Sequence, residues 1–296
     1  MTSNILRFRT IVVATDLGDP GSAALRYAQA MARMYKAILV VVHVIDPLAY
    51  AFPEGAPAYM AANQAALSEL KKIEEEAQAL GIPVHSVVES GMICDRILQA
   101  LTDYKADLLV LGTRARSEAG RAALGTVARQ LLARSHCPIL AVSPDAAKSL
   151  PWAGCWLRVL AATDFSPASI RALRCAHQVA LRQLVLLHVS EDAKEAGCQE
   201  RLRFLAPFNE SHTVPVEHLV AEGDVSQRIV ESARKFGADL VVLGSPESEL
   251  TADDLQTSTV LQVISKVECP VLCLPAIPVP VKEQKREVAL TSGFSL

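Results

Sequence analysis

One loop of the chain has the residue types and spacing of a phosphate-binding site. Gly112 ends an apolar run, and Gly125 and Thr126 stand immediately before a helical pattern. Gly112 lets the chain leave a strand sharply, whereas Gly125 lets the backbone lie close to a ligand. Thr126 offers a hydroxyl group and a backbone N–H at a helix N-terminus, where the dipole favours an anion. On spacing alone, a flexible connection whose glycines merely cap neighbouring elements is the alternative.

The charge of this loop favours the phosphate interpretation. Between residues 113 and 124 it contains Arg114, Arg116 and Arg121 but a single acidic residue, Glu118. Guanidinium groups bind phosphate oxygens well, although arginines are also common on surface loops for other reasons. The loop therefore carries an excess of positive charge beside a predicted helix N-terminus.

Strand and helix patterns alternate on both sides of the loop. Short aliphatic and β-branched runs predict buried strands, and apolar residues at helical spacing predict the helices between them. The predicted strands span 10–14, 37–44, 84–89, 107–111 and 138–142, and the predicted helices span 23–35, 63–80, 94–104 and 126–133. Strands joined through helices form a parallel sheet with helices on both faces. Ligands of such sheets bind beyond the carboxyl ends of the strands, where this loop begins.

The chain is an internal duplication, and two copies of one domain account for its 296 residues. Residues 84–143 align without a gap on residues 216–275. The first strand and turn of copy one, with Thr15 and Asp16, are matched in copy two by Thr163 and Asp164. We predict a first domain at 1–147, a linker at 148–156, a second domain at 157–276 and a flexible tail at 277–296.

The loop and the duplication together resemble the universal stress protein family. Nucleotide-binding members carry Gly, two residues, Gly, nine residues, and then Gly with Ser or Thr. This chain has Gly112, two residues, Ala115, nine residues, and then Gly125 with Thr126, so alanine replaces the middle glycine. If that position requires a positive φ, alanine costs about 1 kcal/mol and directs a methyl group towards the phosphates. We therefore expect weakened but not abolished nucleotide binding.

The resemblance extends over both copies and implies the fold. It implies two tandem α/β domains of the Rossmann-like, adenine nucleotide alpha hydrolase-like type, each with a five-stranded parallel sheet and helices on both faces. In the family two domains pair back to back through their fifth strands. Residues 139–142 would then pair with residues 271–274 and form a pseudo-dimer within one chain. These apolar strands would otherwise be exposed edges.

The resemblance also implies a ligand and the residues that hold it. In the family the Asp after the first strand holds the ribose, the residue matching Val44 contacts the adenine, and the phosphates lie on the loop. The predicted ligand is ATP or AMP, with or without Mg²⁺, and no catalytic residue or protein metal site is predicted. The predicted nucleotide-binding residues are Ala14, Thr15, Asp16, Val44, Leu111, Gly112, Arg114, Ala115, Gly125, Thr126 and Val127.

The corresponding loop of copy two lacks the features of a phosphate site. Glu247 stands where copy one has Ala115, and Thr257 replaces Gly125. Residues 245–256 contain four acidic residues and no Lys or Arg, so the loop repels phosphate. Ser258 is what remains of the pattern, and we predict no triphosphate site in copy two.

Other side chains that could do chemistry have simpler structural interpretations. Cys269 and Cys273 would lie ~13 Å apart on an extended strand, too far for one metal ion, so we expect core thiols. His43 and His188 end equivalent strands, where histidine is more often a structural hydrogen-bonding group than a ligand. Asp107 and Asp239 are expected to cap or pair at the starts of strands.

Composition excludes several classes of protein. The net charge of −3 argues against a nucleic-acid binder, and hydrophobic residues at 51% with aromatics at 5% indicate an aliphatic α/β core. No apolar run approaches the roughly 18 residues of a membrane span, and no signal peptide is evident. None of the seven cysteines forms a CxxC motif, so we expect a reduced, cytoplasmic protein.

These observations lead to one leading hypothesis and two alternatives. The leading one is a stress-response regulatory protein that binds an adenine nucleotide in copy one, uses copy two as a scaffold, and signals to an unidentified protein partner. It would not be an enzyme, because no catalytic base is visible. The alternatives are a nucleotide-free interaction module, which Ala115 favours, and a slow ATPase or a protein that phosphorylates itself on Thr126 or Ser117. Further assembly into a homodimer stays open.

Overall fold

Copy one folds as five strands that alternate with helices. The structure, a computed structural model, describes residues 8–18, 23–50, 55–113, 124–144, 146, 156–190, 197–205, 214–245 and 258–275. The strands are β1 (Thr10–Ala14), β2 (Ile38–Ile45), β3 (Val84–Ser90), β4 (Leu108–Gly112) and β5 (Ile139–Val142). The helices are α1 (Ala23–Tyr35), α2 (Gly55–Ala79), α3 (Ile93–Asp103) and α4 (Thr126–Arg134), with a 3₁₀ turn at Pro47–Tyr50.

One predicted boundary in copy one is wrong. The helix α2 begins at Gly55, whereas the sequence pattern predicted a start at residue 63. The structure includes Pro57 in the first turn of α2, where proline is tolerated because its missing N–H has no helical partner. The other predicted elements of copy one agree with the structure to within one residue at each end.

Copy two repeats this order of elements. Its strands are β6 (Trp156–Thr163), β7 (Ala180–Ser190), β8 (Val216–Glu222), β9 (Leu240–Gly244) and β10 (Val271–Leu274). Its helices are α5 (Pro167–Val179), α6 (Cys198–Leu205), α7 (Val225–Phe236) and α8 (Thr259–Lys266). The main difference is the helix between the second and third strands, since α6 has 8 residues whereas α2 has 25.

The ten strands form one continuous sheet in the order β3-β2-β1-β4-β5-β10-β9-β6-β7-β8. All neighbours are parallel except β5 and β10, which pair antiparallel with Leu272 opposite Leu140. The predicted pairing of 139–142 with 271–274 is thereby confirmed. Two parallel five-stranded sheets meet at this pair, so that neither fifth strand is left as an exposed edge.

The core consists of two aliphatic layers, one on each face of the sheet. Alternate residues of a buried strand face opposite sides, and in β1 Ile11 and Val13 contribute to one layer while Val12 contributes to the other. All three are 0% exposed. One layer lies under α1, α2, α5 and α6, and the other lies under α3, α4, α7 and α8. Each layer contains residues of both copies.

The cysteines of the described chain behave as core residues. Burial raises the pKa of Cys137 to about 11 and the pKa of Cys269 and Cys273 to about 12. These thiols therefore stay protonated, which disfavours metal binding. Within the described residues, no group of His, Cys, Asp and Glu side chains is arranged to hold a metal ion. Among the same residues, no helix has the length and apolar character that a membrane span requires.

Candidate functional site

A cavity of about 580 Å³ opens at the carboxyl ends of the strands of copy one. It lies where the connection after β1, the end of β2, the end of β4 and the start of α4 meet. Every predicted nucleotide-binding residue that the structure describes lines it: Ala14, Thr15, Asp16, Val44, Leu111, Gly112, Gly125, Thr126 and Val127. The other two predicted residues, Arg114 and Ala115, lie outside the described residues.

The turn after β1 is held by a set of short hydrogen bonds. The Thr15 hydroxyl oxygen accepts from the Leu17 N–H at 3.1 Å, and the Asp16 carboxylate accepts from the Gly18 N–H at 2.9 Å. The His43 Nδ1 lies 2.9 Å from the Thr15 carbonyl oxygen. Because a carbonyl only accepts, this nitrogen carries the proton. His43 thus has the structural role that was predicted, and it fixes the residues beside the cavity.

Copy two has the same turn at its own first strand. The Thr163 hydroxyl oxygen accepts from the Phe165 N–H at 2.9 Å, and the Asp164 carboxylate accepts from the Ser166 N–H at 2.9 Å. The His188 Nδ1 donates to the Thr163 carbonyl oxygen at 2.8 Å. Burial raises the pKa of Asp164, but hydrogen bonds from Ser166 outweigh it and hold this pKa below its usual value. The turn is therefore a property of the fold and does not by itself identify a ligand site.

The backbone of Val44 faces the cavity with a donor and an acceptor. In β2, the Ile38 N–H donates to the Arg9 carbonyl and the Val42 carbonyl accepts from the Thr15 N–H, so these residues bond towards β1. Residues two apart in a strand bond in the same direction, and the N–H and C=O of Val44 therefore point the same way. Since the pairing of β1 with β2 stops at Val42, those two groups point past the end of β1.

The start of α4 forms the opposite end of the cavity. Gly125 is the N-cap, and no side chain caps the helix there. The Gly125 N–H donates to the Thr113 carbonyl at 3.1 Å, which closes the base of the loop, and the Thr113 N–H donates to the Val142 carbonyl at 3.1 Å. The first backbone N–H groups of a helix have no helical acceptor, so those of Thr126 and Val127 are available to an anion.

Helices supply an apolar wall that sequence reasoning missed. The missed lining residues are Gly18, Ala23, Ala24, Val42, His43, Ile93, Ile97, Thr113, Ala128, Leu131, Val142 and Pro144. Helical periodicity assigns Ile97 and Leu131 to the core, and it gives no sign that they also border a cavity. The topology offered a usable signal, because α3 and α4 both begin at the edge of the sheet where the predicted loop lies.

Comparisons with known proteins agree with this fold. A model of the universal stress protein family matches residues 7–143 and 194–275. The chain belongs to the universal stress protein family. The family match omits residues 144–193, but β6, α5 and β7 fold there as their counterparts do in copy one. The resemblance in the sequence is thereby confirmed.

Individual relatives cover one copy or both. A universal stress protein of Thermus aquaticus is 35% identical over 139 residues, which is 46% of this chain and 98% of that protein. One from Mycolicibacterium smegmatis is 27% identical over 262 residues, covering 79% of this chain and 86% of its own length. The crystal structure of a universal stress protein from Archaeoglobus fulgidus superposes with a TM-score of 0.77 at 21% identity, over 91% of this chain and 98% of its own. The last comparison supports the two-copy fold.

Proposed function

We propose that this universal stress protein is a regulatory protein that binds ATP or AMP in copy one, with copy two as a scaffold that binds no nucleotide. The observation that carries the proposal is the cavity. It has a backbone donor and acceptor at the Val44 end and the uncapped start of α4 at the other. An adenine nucleotide has the matching polarity, with an uncharged base at one end and phosphates at the other.

The base would bind at the end of β2. Adenine presents an amino donor beside a ring-nitrogen acceptor, and the C=O and N–H of Val44 can pair with these two groups. Thr15 would contact the same base and Asp16 would accept from the ribose hydroxyl groups. Ile93 and Ile97, on α3, supply apolar surface beside Val44 for the ring.

The phosphates would bind at the start of α4. Gly112, Gly125, Thr126 and Val127 would surround them, and Ala14 and Leu111 would form the floor at the ends of β1 and β4. Among the described lining residues none is Lys or Arg. Positive charge would therefore come from Arg114 and the other arginines of its loop, or from a Mg²⁺ ion that arrives on the nucleotide.

The bound nucleotide would act as a structural ligand and not as a substrate. Asp16 is the one carboxylate among the described lining residues, and the Nδ1 of His43 is committed to Thr15. A general base needs a free acceptor that can reach the attacking group, and in the proposed binding mode the Asp16 carboxylate accepts from the ribose instead. Nucleotide would instead order residues 113–124 and change the surface that a cytoplasmic protein partner contacts.

Titration calorimetry tests the proposal with a control built into the chain. We expect Mg-ATP or AMP to bind the wild-type protein with one site per chain. Asp16→Ala should weaken binding at least tenfold, because the ribose loses an acceptor with a full charge. The matched variant Asp164→Ala removes the equivalent carboxylate from copy two and should leave affinity unchanged.

Two results would overturn the assignment. No heat with millimolar Mg-ATP or AMP would favour the second candidate, a nucleotide-free interaction module, which the alanine at position 115 supports. Equal losses in the two aspartate variants would show that copy two also takes part. A phosphate-release assay bears on the enzyme alternative, and we expect a rate equal to that of buffer.

A further inference from the structure

The helix over the outer edge of the sheet buries fewer of its described side chains in copy two than in copy one. In copy one, α2 buries Ala66, Leu70, Ile73 and Ala77. In copy two, α6 buries Cys198 and Leu202. Burial of one Leu or Ile side chain contributes roughly 1.5–3 kcal/mol, so α6 has a smaller apolar contribution to its docking.

The polar contact beneath this helix also differs between the copies. In copy one the Glu74 Oε1 accepts from both the N–H and the hydroxyl group of Ser86, each at 2.8 Å, and so joins α2 to β3. The gapless alignment of 84–143 with 216–275 places His218 at the position of Ser86. The residue beneath α6 is therefore an imidazole, which can change its charge near neutral pH.

His218 lies on the face of β8 that α6 covers. Val214 and Val216, which share its side of the strand, pack on the core layer under α6, whereas Leu219 and Ala221 pack on the opposite layer. The His218 Nε2 is buried, and among the described residues it has no hydrogen-bond partner. A buried polar atom without a hydrogen-bond partner is uncommon in proteins. A positive charge on this imidazole would therefore be costly in its position beneath α6.

The groups around His218 disfavour a second positive charge. Arg203 of α6 is the charged residue that acts on it, while Glu200 of the same helix is exposed. On β7, Leu186 lies opposite His218 and His188 is committed to Thr163. On β8 itself, Glu217 points to the other side of the strand and accepts from Gln183. Burial, and then Arg203, lower the pKa of His218 below its ordinary value of 6.5.

We propose that His218 is a pH switch for the edge of copy two: protonation of its imidazole releases α6 from β8, while α2 stays docked in copy one. Well above pH 6.5 the imidazole is neutral whether α6 is docked or free, and docking is at full strength. As the pH falls below 6.5, the free state takes up a proton that the docked state resists. The docking is then lost progressively down to the pKa of the docked state.

Release of α6 would uncover the face of β7 and β8 that Cys198 and Leu202 now cover. This device is independent of the proposed nucleotide site, because it lies on the outer edge of the other copy. Mild acidification would therefore change the surface of copy two without a change in copy one.

Hydrogen–deuterium exchange of the full chain tests the switch. With rates corrected for the intrinsic effect of pH, the protection of residues 198–205 should fall between pH 7.5 and pH 5.5. The protection factor should fall by at most about tenfold per pH unit below 6.5, which is the limit for an equilibrium linked to one proton. Residues 69–79 of α2 should keep their protection over the same range.

Substitutions identify the group responsible. His218→Ser, which restores the residue of copy one, and His218→Gln should both remove the pH dependence at 198–205. His85→Ser, at an exposed position of β3, is the matched control and should retain it. If His218→Ser fails to fold, His218→Gln decides the outcome. Protection of α6 that does not change with pH in the wild type, or a pH dependence that persists in a folded His218 variant, would overturn the proposal.

Discussion

The two copies share the strand order and the turn after the first strand, and they differ in the loop after the fourth strand and in the helix at the outer edge of the sheet. Each has a Thr-Asp turn closed by a histidine, and each has five parallel strands in the same order. The loops after their fourth strands carry opposite charge, and the helices at their outer edges differ in length. The comparison separates residues that build the sheet in both copies from residues whose types differ between them.

The shared turn shows why a motif can be misleading. Asp16 and Asp164 occupy the same turn with the same geometry, and both carboxylates accept from a backbone N–H two residues later at 2.9 Å. An aspartate that the fold needs is therefore present whether or not a ribose binds. The distinction between the copies has to come from the loop after the fourth strand, whose charge differs between them.

The largest expected effect comes from the glycine that ends the fourth strand. A Cβ added to Gly244 would lie 2.6 Å from the backbone C of Ala168 and 2.6 Å from the N of Ser169, in the first turn of α5. Backbone atoms cannot rotate away as a side chain can. We expect Gly244→Ala to lower the free energy of unfolding by about 3 kcal/mol, measured by urea denaturation.

The equivalent position of copy one is the control. Among the described residues, nothing lies within 4 Å of a Cβ added to Gly112. Gly112→Ala should therefore cost much less stability, and its main effect should be on nucleotide affinity. If the two variants lose equal stability, the two fourth strands contact their helices in the same way, and this part of the comparison is wrong.

A second effect concerns the aspartates that start the fourth strands. The Asp107 Oδ2 accepts from the N–H of Arg9 at 2.6 Å and from the N–H of Thr10 at 3.0 Å, whereas the Asp239 Oδ2 accepts from the N–H of Arg158 at 2.9 Å. A hydrogen bond to a charged group contributes roughly 1.5–3 kcal/mol when shielded and less when exposed. We expect Asp107→Ala to cost about 2 kcal/mol, and Asp239→Ala to cost less, in urea denaturation. A larger loss for Asp239→Ala would contradict this ranking.

Much of the fold could be predicted because the two copies have the same order of elements, so that a strand or helix predicted in one copy could be checked against the sequence of the other. The pairing of β5 with β10 followed from the family resemblance and from two apolar strands that needed cover. The start of α2 could not be read, because Pro57 suits both a loop and a first helical turn. For the site, the sequence could predict the polar residues at the ends of strands. The apolar wall that Ile97 and Leu131 form depends on the positions of α3 and α4 relative to the carboxyl ends of the strands. Helical periodicity in the sequence does not indicate those positions.

A third effect tests the phosphate loop through Ala115, the residue at which this chain departs from the family pattern. Ala115→Gly removes the methyl group and permits a positive φ. If the loop holds phosphates, the affinity for Mg-ATP should rise several-fold, which corresponds to about 1 kcal/mol. Glu247→Gly in copy two is the matched control and should have no effect, since the other acidic residues of that loop remain. Unchanged affinity for Ala115→Gly in calorimetry would show that position 115 does not face the phosphates.

The smallest expected effect comes from a contact that the copies build with different atoms. The Cys94 thiol donates to the Gln130 Oε1 at 2.9 Å. In copy two the Ser226 Oγ lies 2.8 Å from the Gln262 Oε1 and 2.7 Å from the Asp224 Oδ1, and the two acceptors compete for its single proton. Burial raises the pKa of Cys94, so its thiol keeps the proton that it donates.

Because copy two shows that serine fits this position between the helices, Cys94→Ser should change the free energy of unfolding by less than about 1 kcal/mol. Cys94→Ala leaves the glutamine oxygen without its donor and should cost more, roughly 1–3 kcal/mol. Urea denaturation of the two variants side by side gives the ranking. If Cys94→Ser destabilises the protein as much as Cys94→Ala, the thiol stabilises the protein by filling space and not by its hydrogen bond. The contact of Cys94 with Gln130 would then not be equivalent to the contact of Ser226 with Gln262.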